Sequence, residues 1–288
     1  VRVFLNGKFV HEQKAVVSVF DRSFLYGDGL FETMRIANGR PFRWEQHMQR
    51  LQQGAAFLRI KLPFSPANLY AFALKLAAKN KARDTLLRLT LSRGIGAPGY
   101  LPQNARNPVL VMFLRPLPKM EQGNMAQWNL VASSFRLPAN DPIANFKTCN
   151  KLPHIMARAE ADTVGADEAL LLNTDGFITE GASSNLFWIK RGVIYTPPPT
   201  AGVLPGVTRA EVLEITRRLK IPVRQKNIRL KELAQTDGVF LSLSSLGIVE
   251  AKSLNEKILR RSPLTKKIAR AYARILMDSS TCNPRPEP

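Results

Sequence analysis

The chain has 288 residues, 45% of them hydrophobic, and a formal net charge of +20 from 42 Lys and Arg against 22 Asp and Glu. That length can bury two packed domains or one large one, and the lack of repeats and low-complexity blocks excludes a solenoid or a disordered chain. Val1-Arg2-Val3-Phe4-Leu5-Asn6-Gly7 lacks the apolar core of a signal peptide and no stretch reaches membrane-spanning length, so the sequence reads as a soluble cytoplasmic protein without a membrane partner.

Cys149 and Cys282 fit a reducing compartment and imply no disulfide. The charge raises the question of a polyanion partner. Yet Arg217, Arg218, Lys220, Arg224, Lys226, Arg229 and Lys231 are scattered, no nucleic-acid motif is present, and only five tyrosines and three tryptophans could stack bases. A solvated basic surface with no specific nucleic-acid partner is expected.

Apolar runs with turn punctuation predict strands at 3–5, 86–91, 109–114, 130–132, 169–172, 185–189 and 239–243. Asn6-Gly7, Asn38-Gly39 and Asp175-Gly176 tolerate positive φ and predict hairpins. Helical spacing links Trp44, Met48, Leu51, Ala55 and Leu58, then Leu69, Phe72, Ala73 and Leu76, and later Val212, Ile215, Thr216 and Leu219. A Pro-rich, polar stretch from Arg115 to Asn124 predicts a linker. The expected division is a smaller α+β domain at 1–117, a linker at 118–128, a larger domain at 129–278 and a loose tail at 279–288.

The chemistry concentrates in two segments. Asn145-Phe146-Lys147-Thr148-Cys149-Asn150 precedes a helical stretch, and Thr179-Glu180-Gly181-Ala182-Ser183-Ser184-Asn185-Leu186-Phe187 follows a hairpin. A lysine amine and a separate carboxylate are what a pyridoxal phosphate enzyme needs, one to hold the aldehyde as a Schiff base and one to keep the ring nitrogen protonated. By themselves a loop lysine and a turn glutamate are ordinary surface charges, and Cys149 is most simply a small space-filling residue.

Together with Ala166-Asp167-Glu168-Ala169-Leu170, these segments resemble the class IV aminotransferases, the fold-type IV pyridoxal phosphate family, over nearly the whole chain. The resemblance implies a two-domain α+β fold like that of D-amino acid aminotransferase, with pyridoxal 5'-phosphate in the interdomain crevice, and a homodimer. It implies Lys147 as Schiff-base lysine and proton shuttle, Glu180 as partner of the ring nitrogen, and Ser183 and Ser184 along the ring edge. Arg50 matches the phosphate arginine, whose guanidinium can hold two oxygens. Gly206, Val207 and Thr208 open a helix whose first turn suits an anion, and Ser244 and Ser245 match a second phosphate loop.

The implied activity is transfer of an amino group between an amino acid and a 2-oxo acid by a ping-pong cycle. The alternative in the same family is a 4-amino-4-deoxychorismate lyase releasing pyruvate and 4-aminobenzoate; an alternative of another class is an inactive polyanion-binding homologue. Phe31, Arg93 and Tyr100 are candidate substrate contacts. Pro98 stands where the lyase and D-amino acid branches carry arginine, and Leu152 stands where the branched-chain branch carries tyrosine, so no branch is selected.

Overall fold

The computed structural model describes residues 1–118 and 125–281. These divide into two compact units. One holds Val1–Leu117, Phe146–Asn150 and residues 275–281; the other holds residues 118, 125–145 and Lys151–Arg274. Residues 119–124 of the expected linker and 282–288 of the expected tail, including Cys282, lie outside the described residues.

In the first unit β1 (Arg2–Leu5) and β2 (Lys8–His11) form the hairpin expected at Asn6-Gly7, with Asn6 and Gly7 both at positive φ. A short helix α1 (Arg22–Tyr26), capped by the Asp21 carboxylate, leads into β3 (Gly29–Ala37) and β4 (Arg40–Pro41). Then come α2 (Trp44–Leu58), α3 (Pro66–Lys79), β5 (Thr85–Ser92) and β6 (Val109–Arg115). Among the described residues the strands make one antiparallel sheet in the order β2-β1-β6-β5-β3-β4. Its core includes Phe4, Met34, Leu69, Leu87, Leu89 and Met112, none of them exposed, and Phe4 stacks on Phe72 at 4.6 Å.

The second unit contains β7 (Gln127–Leu137), α4 (Leu152–Thr163), β8 (Glu168–Asn173), β9 (Ile178–Gly181), β10 (Asn185–Lys190) and β11 (Val193–Thr196). It continues with α5 (Val207–Arg218), β12 (Val223–Gln225), α6 (Leu230–Leu233), β13 (Gly238–Leu243), β14 (Gly247–Leu254) and β15 (Lys257–Ile258). The sheet runs β12-β11-β10-β13-β14-β7-β8-β9, with β15 beside β14, and mixes parallel and antiparallel pairs. The last helix, α7 (Pro263–Thr281), reaches three residues into the segment expected to be a loose tail.

Two long strands escaped the sequence pattern for one physical reason. β3 places Glu32 fully buried in an apolar run, and β14 does the same with Glu250, which is held by Arg261 at 2.5 Å. A charge at an inward position breaks the apolar signal, and its partner lies elsewhere in the sequence. Likewise 130–132 is only part of β7, whose register shifts between Ala132 and Arg136.

Candidate active site

Phe146–Asn150 belongs to the first unit because it pairs with β3, not with the later domain expected from chain order. Leu30 and Thr148 form an antiparallel bridge; Phe31 N donates to Lys147 O at 2.9 Å and Cys149 N to Gly29 O at 2.8 Å. Phe146 stacks on Phe57 at 4.4 Å. Lys147 is thus fixed by its backbone. Its Nζ lies 4.5 Å from the Phe31 ring centroid, and the Arg88 guanidinium carbon lies 3.4 Å from the same centroid. Burial brings Arg88 down to about 10, with Cys149 raising it, so it is still a cation at neutral pH. The sequence reading gave Arg88 no role, although it is a lone charge within an apolar strand.

Arg50 lies on the inward face of α2, one turn from His47. Its Nε donates to Glu32 Oε1 at 2.8 Å and its Nη2 to Glu32 Oε2 at 2.6 Å, while His47 Nδ1 lies 2.6 Å from Oε2. Burial alone would raise the Glu32 carboxyl, but the Arg50 charge and hydrogen bonds, with those of His47, hold it at about 2. Burial lowers His47 against the opposing pull of Glu32. The phosphate arginine of the sequence reading is therefore a braced group, and its brace was unassigned.

In the second unit Glu180 is 7% exposed on β9. Its Oε2 accepts from Asn185 Nδ2 at 3.2 Å and Leu204 N at 3.1 Å. Gly206 is the N-cap of α5, and a Cβ there would overlap Asn185 Oδ1. No side chain caps α5, and Thr208 is inside the helix, buried, so it does not serve as the cap. Arg209 is also buried, donating to Thr196 Oγ1 and Pro197 O; burial lowers it and Glu180 raises it. A carboxylate, an uncapped helix start and a buried cation thus lie together beside Gly206 and Val207.

Ser183 and Ser184, expected along a ring edge, share one carboxylate partner. Both hydroxyls donate to the unexposed carboxylate of Glu168, at 2.6 and 3.1 Å, and Ser183 N joins them at 3.0 Å. Glu168 thus shapes the turn between β9 and β10. Ser244 and Ser245 sit half-buried in the turn between β13 and β14. Nearby Ser242 Oγ is enclosed without a hydrogen-bond partner among the described residues.

Of the three candidate substrate contacts, Phe31 has its ring against the Lys147 amine. Arg93 is committed to Asp28 at 2.7 and 2.9 Å and to the carbonyls of Leu58 and Arg59, so it is a structural cation. Tyr100 is 88% exposed, its ring edge-on to Tyr26 at 5.7 Å.

These folds are those of a two-domain α+β enzyme of fold type IV. The sequence profile of the family described as amino-transferase class IV matches residues 29–254, and the chain belongs to that family. It is 32% identical to a putative branched-chain-amino-acid aminotransferase of Methanocaldococcus jannaschii, over 94% of this chain and 95% of that one. It is 30% identical to a D-alanine aminotransferase of Bacillus licheniformis, over 97% and 99%. An aminodeoxychorismate lyase of Bacillus subtilis is 31% identical over 88% and 87%. Among solved structures it resembles the Escherichia coli branched-chain amino acid aminotransferase, with TM-score 0.89, 27% identity and coverage of 96% and 94%. It also resembles a T.th. branched-chain amino acid aminotransferase complexed with N-(5'-phosphopyridoxyl)-L-glutamate, with TM-score 0.88, 26% identity and coverage of 99% and 95%.

Proposed function

We propose that the chain is a pyridoxal phosphate-dependent transaminase that moves an amino group between an amino acid and a 2-oxo acid by a ping-pong mechanism. The observation that carries this reading is Glu180, a buried carboxylate whose Oε2 is fixed by two N–H donors, beside the uncapped start of α5. The residues fit the cofactor: Glu180 suits a protonated ring nitrogen, and the α5 first turn with Gly206, Val207 and Thr208 suits phosphate oxygens. The half-buried turn residues Ser244 and Ser245 of the same unit suit the phosphate too, and the family resemblance assigns Arg50 to it. When bound, the cofactor supplies an electron sink.

The protein supplies position and proton movement. Lys147 Nζ would be the covalent anchor and, once displaced, would take the proton from the substrate α-carbon and deliver it to the carbon of the cofactor's aldehyde group. Glu180 keeps a positive charge on the ring nitrogen. Ser183 and Ser184, tied to Glu168, fix the backbone that leads from Glu180 to Asn185. Arg88 is the candidate partner of a substrate carboxylate, because it shares the Phe31 ring with Lys147.

A homodimer belongs to the same proposal. Val16, Val19, Phe20, Phe24 and Tyr100 are exposed apolar or aromatic side chains of the first unit, a composition that suits burial against a second copy. No helix among the described residues is long and apolar enough to cross a membrane.

The test is the absorbance of cofactor-loaded protein as L- and D-amino acids are added singly, with no oxo acid. Conversion of the visible band to the pyridoxamine form supports the transaminase and ranks donors. A band that amino acids leave unchanged, with pyruvate released from 4-amino-4-deoxychorismate, assigns the lyase instead. A protein that takes up no pyridoxal phosphate overturns both.

A further inference from the structure

His154 is three residues into α4, and its Nε2 lies 3.4 Å from Glu180 Oε1. The other oxygen of Glu180 already takes the Asn185 and Leu204 donors. The imidazole is therefore placed on the oxygen those two donors leave. An unprotonated nitrogen there would set its lone pair against a carboxylate oxygen, so Nε2 carries the proton and donates. In the neutral ring this leaves Nδ1 a bare acceptor. Nδ1 is indeed enclosed and makes no hydrogen bond among the described residues.

An enclosed polar atom without a partner is a defect that packing alone does not explain, since a leucine or methionine would fill the volume without it. We propose that His154 is a positioning residue for Glu180: its Nε2–H fixes the orientation of the carboxylate, so that Oε1 meets the cofactor's ring nitrogen in one defined geometry. This rests on the pyridoxal phosphate reading above. His154 touches neither cofactor nor substrate in this role and acts through Glu180. Sequence pattern gave it no role, because a histidine in Leu152-Pro153-His154-Ile155 reads as an ordinary first-turn helix residue.

The test compares His154→Gln, which keeps an N–H donor of similar reach, with His154→Met, which keeps the volume without a donor. The probe is pyridoxal phosphate, with its dissociation constant and the position of the visible band as readouts. His154→Met is expected to bind about tenfold more weakly, as loss of a hydrogen bond to a charged group implies, and to shift the band. His154→Gln is expected to restore both. Wild-type behaviour in His154→Met, or equal loss in both variants, overturns the proposal. Failure of the cofactor reading is separable, because the wild type would then show no band. In that case ¹⁵N NMR of the cofactor-free protein still decides: an Nε2–H of His154 protected from solvent exchange is expected in wild type and lost in Glu180→Met, which removes the acceptor, and an unchanged protected signal in that variant overturns the contact itself.

Discussion

Glu32 and Arg50 are joined at two points, Nε to Oε1 at 2.8 Å and Nη2 to Oε2 at 2.6 Å, with Glu32 wholly out of solvent. The second oxygen also meets His47 Nδ1. A guanidinium held along one edge is aimed, so Glu32 sets the orientation of Arg50. Glu32→Gln breaks a buried pair and takes from Arg50 the charge that balances it, which costs about 3–5 kcal/mol. The pH dependence has a definite sign. The Glu32 carboxyl is depressed to about 2 from an ordinary 4.5, so its contribution is complete above about 4.5 and is lost as pH falls from there towards 2. Thermal unfolding from pH 7 down to pH 2 should show a lower Tm for Glu32→Gln at neutral pH and a shallower fall in acid. A variant that keeps the wild-type acid limb would show that the pair contributes nothing.

Lys147 is held by backbone hydrogen bonds from 147 and 149 to β3, and those bonds do not depend on the side chain. Lys147→Ala should therefore keep its Tm within a few degrees while losing the visible band of the loaded protein. Turnover should fall by at least about 10²–10⁴, the usual worth of a positioned proton-transfer group. Retained turnover in this variant would refute the assignment.

Lys147 and Glu180 stand out in the sequence as candidates because each lies in a contiguous segment whose neighbours resemble a known family. What surrounds them was not legible, because it is assembled from distant positions. Glu32 meets Arg50 and His47 across two elements, Glu168 meets Ser183 and Ser184 across a hairpin, and Glu180, held by Asn185 and Leu204, acts through its charge on Arg209. Arg93, a candidate substrate contact by resemblance, closes its fork on Asp28, a pairing that one-dimensional pattern cannot reveal. The periodic helices α2 and α3 were read correctly since their apolar faces repeat at three and four residues, whereas β3 and β14 were hidden by their buried carboxylates.

Arg88 and Phe31 predict a split in kinetic constants. The guanidinium lies 3.4 Å from the ring centroid and donates to Thr33 Oγ1 at 3.3 Å, so it is oriented before any ligand arrives. If it holds a substrate carboxylate equally in ground and transition states, Arg88→Met raises KM for the 2-oxo acid by about tenfold or more and changes kcat little. Pyridoxal phosphate affinity should stay near wild type. A loss confined to kcat would instead place Arg88 with the proton transfer at Lys147.

Gly206 tests the second unit without removing any charged group. A methyl at this position would overlap Asn185 Oδ1. Asn185 is not a soft neighbour, since its Nδ2 is shared between Glu180 at 3.2 Å and the Leu204 carbonyl at 2.9 Å. Gly206→Ala must therefore either push Asn185 from Glu180 or pull the start of α5 from its place. Crowding of this kind costs about 1–3 kcal/mol in stability, seen as a lower Tm of the cofactor-free protein. Both displacements also disturb groups assigned to the cofactor, one the ring-nitrogen carboxylate and the other the first-turn N–H donors. The dissociation constant for pyridoxal phosphate should rise by about tenfold or more, while binding of inorganic phosphate separates the causes. Weakened phosphate binding identifies a shift of α5; unchanged phosphate binding with weakened cofactor binding identifies Asn185 and Glu180 as the groups that moved.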